Sequence, residues 1–253
     1  MIPISEAIRI ILEQAKPLPT ERINLSEALG RVLAEEIIAD SDLPPFDRAQ
    51  MDGYAVRSSD LLTVPARLRV VGESAAGRGW HSTVNEGEAV RIMTGAPVPA
   101  GSDSVQKVEV TSEADEVVLI NEATRPGQFI VPRASEIRKG EKVLFAGEEI
   151  NAAMMAMLAS FGYAEVLVSC RPRVAVLATG TELVKVNEKP SADQIRDSNT
   201  YSLSAYAQLT GATVERLPLA GDDPEVLKRE IADAVRRFDV LVLSGGVSMG
   251  VYD

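Results

Sequence analysis

The sequence predicts a mixed α/β chain, with a parallel α/β domain in its C-terminal part and a small β-domain ahead of it. Two observations predict this. From residue 171 the pattern runs strand, helix, strand, helix, strand. Its strands RVAVLAT and DVLVLS are continuous apolar runs of the kind that parallel sheets bury on both faces. Between about 65 and 134, short apolar runs (ARLRVVGES, EAVRIMTG, SVQKVEV, EVVLINE) alternate with Gly, Pro, Asp and Asn, and no long helical period interrupts them. That reads as a small antiparallel β-domain placed between helical segments.

Taken in order, residues 5–16 put Ile8, Ile11, Leu12 and Ala15 on one face at helical spacing, with Ser5 as the expected N-cap and Pro17 as the stop. A second short helix is expected from Ser26 through Leu29, Val32 and Leu33, ended by the prolines of SDLPPFDRAQ. After the β-domain, KVLFAGEEI reads as strand and turn. NAAMMAMLASFG reads as an apolar helix with Gly162 just past its end, and YAEVLVS as a strand. TYSLSAYAQLTG is a helix ending at Gly211, TVERLPLA a strand, DPEVLKREIADAVRRF a helix and DVLVLS a strand. The last residues, Gly246 to Asp253, form a loop that in an α/β unit would feed a helix, so the α/β domain is expected to be incomplete at its C-terminus.

The bulk composition narrows the function. With 253 residues, 45% hydrophobic and 25% charged, the chain has the balance of an ordinary globular protein. A net charge of −11 opposes nucleic acid and anionic lipid as partners. An anionic ligand would have to be held by backbone N–H groups, a few basic side chains or a divalent cation. One cysteine, Cys170, excludes an intrachain disulfide and fits a reducing compartment. Glu6, Arg9 and Glu13 interrupt the first apolar stretch, which is therefore no signal peptide. The longest apolar run, 152–164, is too short to span a bilayer. A cytoplasmic location is expected.

Two strand-to-loop junctions have the chemistry of an anion site. Thr179, Gly180 and Thr181 follow RVAVLAT, and Ser244, Gly245, Gly246 and Ser248 follow DVLVLS. Both lie at the carboxyl ends of parallel strands, where open α/β sheets bind ligands, and glycines let the backbone approach a phosphate. Neither loop is a GxGxxG or a P-loop. A single such loop also reads as a plain tight turn; two on neighbouring strands point towards a ligand. Glu182, Asp222 and Asp253 stand beside these loops, the residue type that holds Mg²⁺ near a phosphate, although any one of them alone reads as a solvated charge. In the β-domain, Met93 to Pro99 is a rigid turn-rich loop, and Asp52-Gly53 alone reads as a turn. His81, the only histidine, reads as structural or surface, and Met154, Met155 and Met157 as helix packing.

The motifs PPFDRAQMDGYAV, VRIMTGAPVPAGSDSV, RKGEKVLFAGEEI, LASFGYAEVLV, VAVLATGTELV, IRDSNTYSL, AGDDP and VLSGGVSMGVYD resemble, in this order, the molybdopterin molybdenumtransferase family (MoeA and the gephyrin E-domain). The resemblance spans nearly the whole chain, and MDGYA with MTGAP and SGGVS is its most specific part. It implies an elongated homodimer. Residues 21–45 and 135–169 would form a connecting subdomain carrying the β subdomain, 46–134, as an insert. Residues 1–20 and 170–253 would form the molybdopterin-binding α/β domain. The family's C-terminal β-barrel has no counterpart, so the chain resembles a C-terminally truncated member.

The implied activity is that of a transferase of molybdenum cofactor biosynthesis, inserting molybdate into adenylylated molybdopterin in a Mg²⁺-dependent step that releases AMP. A molybdopterin adenylyltransferase-type protein is an implied partner beside the second copy. Carried over by motif, Asp52, Thr94, Glu182, Asp222 and Asp253 would be catalytic, and the last three would serve the metal. Thr179, Gly180, Thr181, Ser244, Gly245, Gly246 and Ser248 would hold the cofactor, with Ser198 and Asn199 as further cleft residues. Glu136 stands where the family often has Asp, and TGTEL replaces TGDEL while keeping Glu182. The family's cleft lysines follow the point where this sequence stops, so weak or absent turnover is expected of this chain. Two other readings share part of the pattern: a non-catalytic molybdopterin-binding or gephyrin-like scaffold fragment, and a competence-damage-type nucleotide hydrolase. The latter shares ATGTEL, DSNTYSL and GGVS but lacks MDGYA and MTGAPVP.

Overall fold

The computed structural model describes residues 2–221 and 223–245. The chain divides into two compact units, residues 1–36 with 145–253, and residues 37–144.

The first helix, α1 (Ile4–Gln14), does not use Ser5 as its cap. Pro3, with its fixed φ, occupies that position and no side chain caps the helix, so Ser5 lies inside it. Arg9 pairs with Glu6 and Glu13 along its polar face at 3.3 and 2.7 Å. The expected apolar face is present, but Ile8, Ile11 and Leu12 are exposed. Strand β1 (Thr20–Asn24) pairs antiparallel with residues 165–169. The second expected helix is absent. Leu25–Glu27 make a single 3₁₀ turn capped by Asn24, then Gly30 turns the chain through φ +70°. Val32 and Leu33 form antiparallel bridges to Glu149 and Val168. A left-handed residue breaks the helical path and lets the apolar pair join strands instead.

The unit of residues 37–144 is built on strands β2 (Gly53–Val56), β3 (Ala66–Ser74), β4 (Glu88–Ile92), β5 (Ser104–Lys107), β6 (Thr111–Ala114) and β7 (Val117–Ile120). They form one sheet in the order β5-β2-β4-β3-β7-β6. The expected all-antiparallel arrangement is corrected at one place: β3 and β4 run parallel, with a register shift between Val70 and Gly72. Sequence spacing cannot show this, because the 13 residues between them carry the chain back before β4 begins. Alternating residues feed two small aliphatic cores, with Ala55, Val90, Ile92 and Val105 in one and Val56, Leu68, Ala89 and Ile120 in the other. Gly53 opens β2 rather than forming a turn. A Cβ there would lie 2.0 Å from the Gln106 carbonyl oxygen, so only glycine lets β2 and β5 meet at this point. Ile37–Ile38 pair antiparallel with Lys142–Leu144, which brings the two ends of the unit side by side.

In the rest of the first unit, α2 (Ala152–Ser160) starts at Asn151, whose side chain accepts from Met154 N at 3.0 Å, and Gly162 follows its end at φ +76°. Strand β8 (Glu165–Ser169) is the partner of β1. Then come β9 (Arg173–Ala178), α3 (Asn199–Leu209), β10 (Thr213–Arg216), α4 (Pro224–Arg237) and β11 (Val240–Ser244). These form the parallel α/β layer that the alternation predicts, with sheet order β10-β9-β11. Ala175 and Leu177 of the central strand pack with Leu217, Ala220 and Ala234. Burying a leucine such as Leu177 contributes about 1.5–3 kcal/mol. Among the described residues no helix is long and apolar enough to cross a membrane.

Candidate functional site

The two glycine-bearing turns abut. Strands β9 and β11 run side by side to the pair Ala178↔Ser244, and Thr179 N donates to Ser244 O at 2.9 Å. Gly245, at φ +112°, lies so close that a Cβ would sit 2.5 Å from Thr179 O and 2.6 Å from its Oγ1. Asn199, at the start of α3, donates from Nδ2 to Ser244 Oγ at 3.0 Å and ties a helix N-terminus to the second turn. Gly180 N donates to Ala220 O at 3.2 Å. A Cβ on Gly180 would meet the Glu182 carboxylate at 2.4 Å, so Glu182 is folded against the glycine of its own turn. The structure thus brings together Thr179, Gly180, Glu182, Asn199, Ser244 and Gly245. Thr181 and Ser198 are exposed beside them. Asp222, Gly246, Ser248 and Asp253 lie outside the described residues.

One residue here escaped the sequence reading. Asp197 is buried one residue ahead of the Ser198 N-cap of α3, accepting from Thr200 N at 3.1 Å through one oxygen and from the Thr200 hydroxyl through the other. The signal was available: an Asp three residues before a Thr at a helix start is a capping pattern. Among the described residues no group of three or more acidic, His or Cys side chains could hold a metal. Mg²⁺ is commonly held by one or two carboxylates with substrate phosphates and water completing its shell. Glu182, a carboxylate folded against the Gly180 turn, suits that donor set.

The β-unit holds the other two expected residues together. Asp52 Oδ1 accepts from both Thr94 N and Thr94 Oγ1 at 2.7 Å. The Thr94 hydroxyl first, and its N–H second, hold the Asp52 carboxyl below the usual carboxylate range. Gly95 at φ +81° and the Ala96 N to Met93 O bond shape the MTGAP loop that presents Thr94. Beside Asp52 is a cavity of about 240 Å³ whose wall includes Tyr54, Arg91 and Met93. The Tyr54 hydroxyl and the Arg91 guanidinium both donate to Glu113 Oε2. Those two bonds lower the Glu113 carboxyl, the tyrosine contributing most. Tyr54 and Arg91 are register partners on β2 and β4, a pairing that follows only from the sheet. His81 is exposed, and Cys170 is a free, half-buried thiol.

Residues 2–162 match the family described as "MoeA N-terminal region (domain I and II)" and residues 175–253 the one described as "Probable molybdopterin binding domain". The chain is 35% identical over its whole length to the molybdopterin molybdenumtransferase of Staphylococcus epidermidis, and 36% to that of Staphylococcus aureus. It spans 61% of the length of these curated relatives. Two solved structures of MoeA from Pyrococcus horikoshii superpose with TM-scores of 0.84 and 0.89, at 34% and 30% identity, over 97% and 98% of this chain and 64% and 67% of theirs. With more than half of its residues inside one family match and the same fold in both archaeal structures, the chain belongs to the MoeA family.

Proposed function

We propose that the chain works in molybdenum cofactor biosynthesis, as part of a transferase that inserts molybdate into adenylylated molybdopterin and releases AMP. The observation that carries this reading is the contact of the two turns at the carboxyl ends of β9 and β11, with Gly245 lying against Thr179. The Thr179 and Ser244 hydroxyls stand beside a glycine that lacks a Cβ, a combination that suits a phosphoanhydride. Thr179, Gly180, Thr181, Ser244 and Gly245, with Gly246 and Ser248, orient the phosphates. Asn199 and Ser198 border them at the helix start. Glu182, with Asp222 and Asp253, holds Mg²⁺, which when bound offsets phosphate charge and polarises the phosphoryl oxygen. The protein's contribution is orientation and charge compensation more than covalent catalysis.

The same reading makes the protein an elongated homodimer with a β subdomain of residues 46–134 as an insert, and has Asp52 and Thr94 act on substrate held by a second copy. The connecting subdomain would comprise residues 21–45 and 135–169. The β1–β8 pairing, which joins residues from both segments, supports that assignment. The decisive experiment is titration calorimetry of the intact chain with AMP and Mg²⁺, followed by an assay of AMP release from adenylylated molybdopterin. Mg²⁺-dependent AMP binding that is lost in Glu182→Gln is expected. AMP binding indifferent to Mg²⁺ and to Glu182 would contradict the assignment.

A further inference from the structure

The cavity beside Asp52 has a donor set of its own, and we propose that it holds the 2-amino-4-oxopyrimidine edge of a planar bicyclic ring, the edge common to pterins and guanine. This rests on the reading that the chain handles a pterin, and names the residues of the β-unit that read the ring.

Size comes first. At about 240 Å³ the cavity is smaller than the roughly 300–1,000 Å³ of a complete ligand pocket, so it suits a ring and not a whole nucleotide conjugate. Charge comes second. The charged residues of the cavity wall are one acid, Asp52, and one base, Arg91, whose charge is already offset by Glu113, so the wall carries no excess positive charge for an oxyanion such as molybdate or phosphate, and a neutral ring that both donates and accepts is preferred.

The individual atoms then assign the contacts. Asp52 Oδ1 is taken by the two Thr94 donors, whereas Oδ2 accepts nothing among the described residues. A carboxylate oxygen can only accept, and an exocyclic amino group with its neighbouring ring N–H supplies donors. Arg91 gives one nitrogen to Glu113 and keeps other N–H groups for a carbonyl oxygen. Glu113 is itself fixed by the Tyr54 hydroxyl, which sets the guanidinium in place. Asp52 precedes Gly53, the partner of Ile92, and Arg91 is the partner of Tyr54, so acceptor and donor share one corner of the β2–β4 pair. Met93 and the half-exposed Val108 supply apolar walls.

The test is titration calorimetry of the intact chain with pterin, lumazine (in which an oxo group replaces the 2-amino group), guanosine and adenosine. Pterin is expected to bind, lumazine about tenfold more weakly, and adenosine not measurably. Guanosine bound like pterin assigns the site to the shared edge; guanosine excluded assigns it to the pterin. Asp52→Asn and Arg91→Gln are each expected to weaken pterin about tenfold, and Arg69→Gln, an exposed ion-pair residue of β3, to leave it unchanged. If thermal melting shows Arg91→Gln unfolded, Arg91→Lys takes its place and should give an intermediate loss, since it keeps the charge and loses the fork. Equal binding of pterin and lumazine, no pterin binding at all, or wild-type affinity in both the Asp52 and Arg91 variants would overturn the proposal. Pterin selectivity without AMP binding would leave it standing while removing the turn assignment, and AMP binding without pterin selectivity would do the reverse.

Discussion

The turn pair of the α/β layer and the Asp52 corner of the β-unit serve the same proposed substrate by opposite means. The first is set by backbone geometry, with Thr179 N donating to Ser244 O and Gly245 at φ +112°, and the Thr179, Ser244 and Glu182 side chains stand on that frame. The second is made of side chains, with one carboxylate fixed by a hydroxyl and a guanidinium fixed by another carboxylate that a phenol holds. The difference teaches what each can tolerate. A turn set by backbone geometry is strained by a single added methyl. A side-chain site accepts methyl groups nearby but changes with protonation.

Three experiments break or sharpen that contrast. The largest effect is expected at Gly53. Gly53→Ala would press a Cβ onto the Gln106 carbonyl at 2.0 Å and force β2 from β5, destabilising the protein by about 3 kcal/mol. Urea unfolding measures it, and a loss well under 1 kcal/mol would show that the strands yield easily. Next is Gly245→Ala, expected to cost about 1–3 kcal/mol in backbone strain and to weaken AMP by about tenfold, measured by thermal melting and calorimetry. Unchanged AMP affinity would show that the backbone there holds no ligand.

The smallest effect is Thr94→Val, which removes the hydroxyl but not the N–H. Because the folded Asp52 titrates below its unfolded value, its stabilising contribution is present above the ordinary carboxylate pKa and is lost as pH falls through the folded one. The variant should move the Asp52 titration upward, as followed by carboxyl-carbon NMR. A midpoint that stays put would mean the hydroxyl bond is not what lowers it.

How much of this was legible in the sequence follows from which contacts are local. The α/β layer was readable because each element announces itself: RVAVLAT by its continuous apolar run, α4 by Asp223-Pro224 at its start and by helical spacing. The adjacency of the two turns followed from the parallel alternation. The β-unit was readable strand by strand but not in its pairing. The parallel β3–β4 contact and the Tyr54–Arg91–Glu113 group join residues that lie far apart in sequence, with no short-range signal. Gly53 was misread for a related reason: Asp-Gly is a turn by local chemistry, and the strand that makes glycine necessary lies more than 50 residues away. The segment from Ser26 to Leu33 shows the converse, where an apolar spacing suited to a helix was overridden by Gly30 and by open strand partners.

The pairing of Ile37–Ile38 with Lys142–Leu144 has a consequence for engineering and for evolution. A unit whose entry and exit run as neighbouring strands, roughly 5 Å apart, leaves only a small gap when removed. A two- or three-residue linker could replace it, and a version from a relative could be grafted in its place without redirecting the flanking chain. Such a cassette can be remodelled while the parallel α/β layer that follows it in sequence stays as it is.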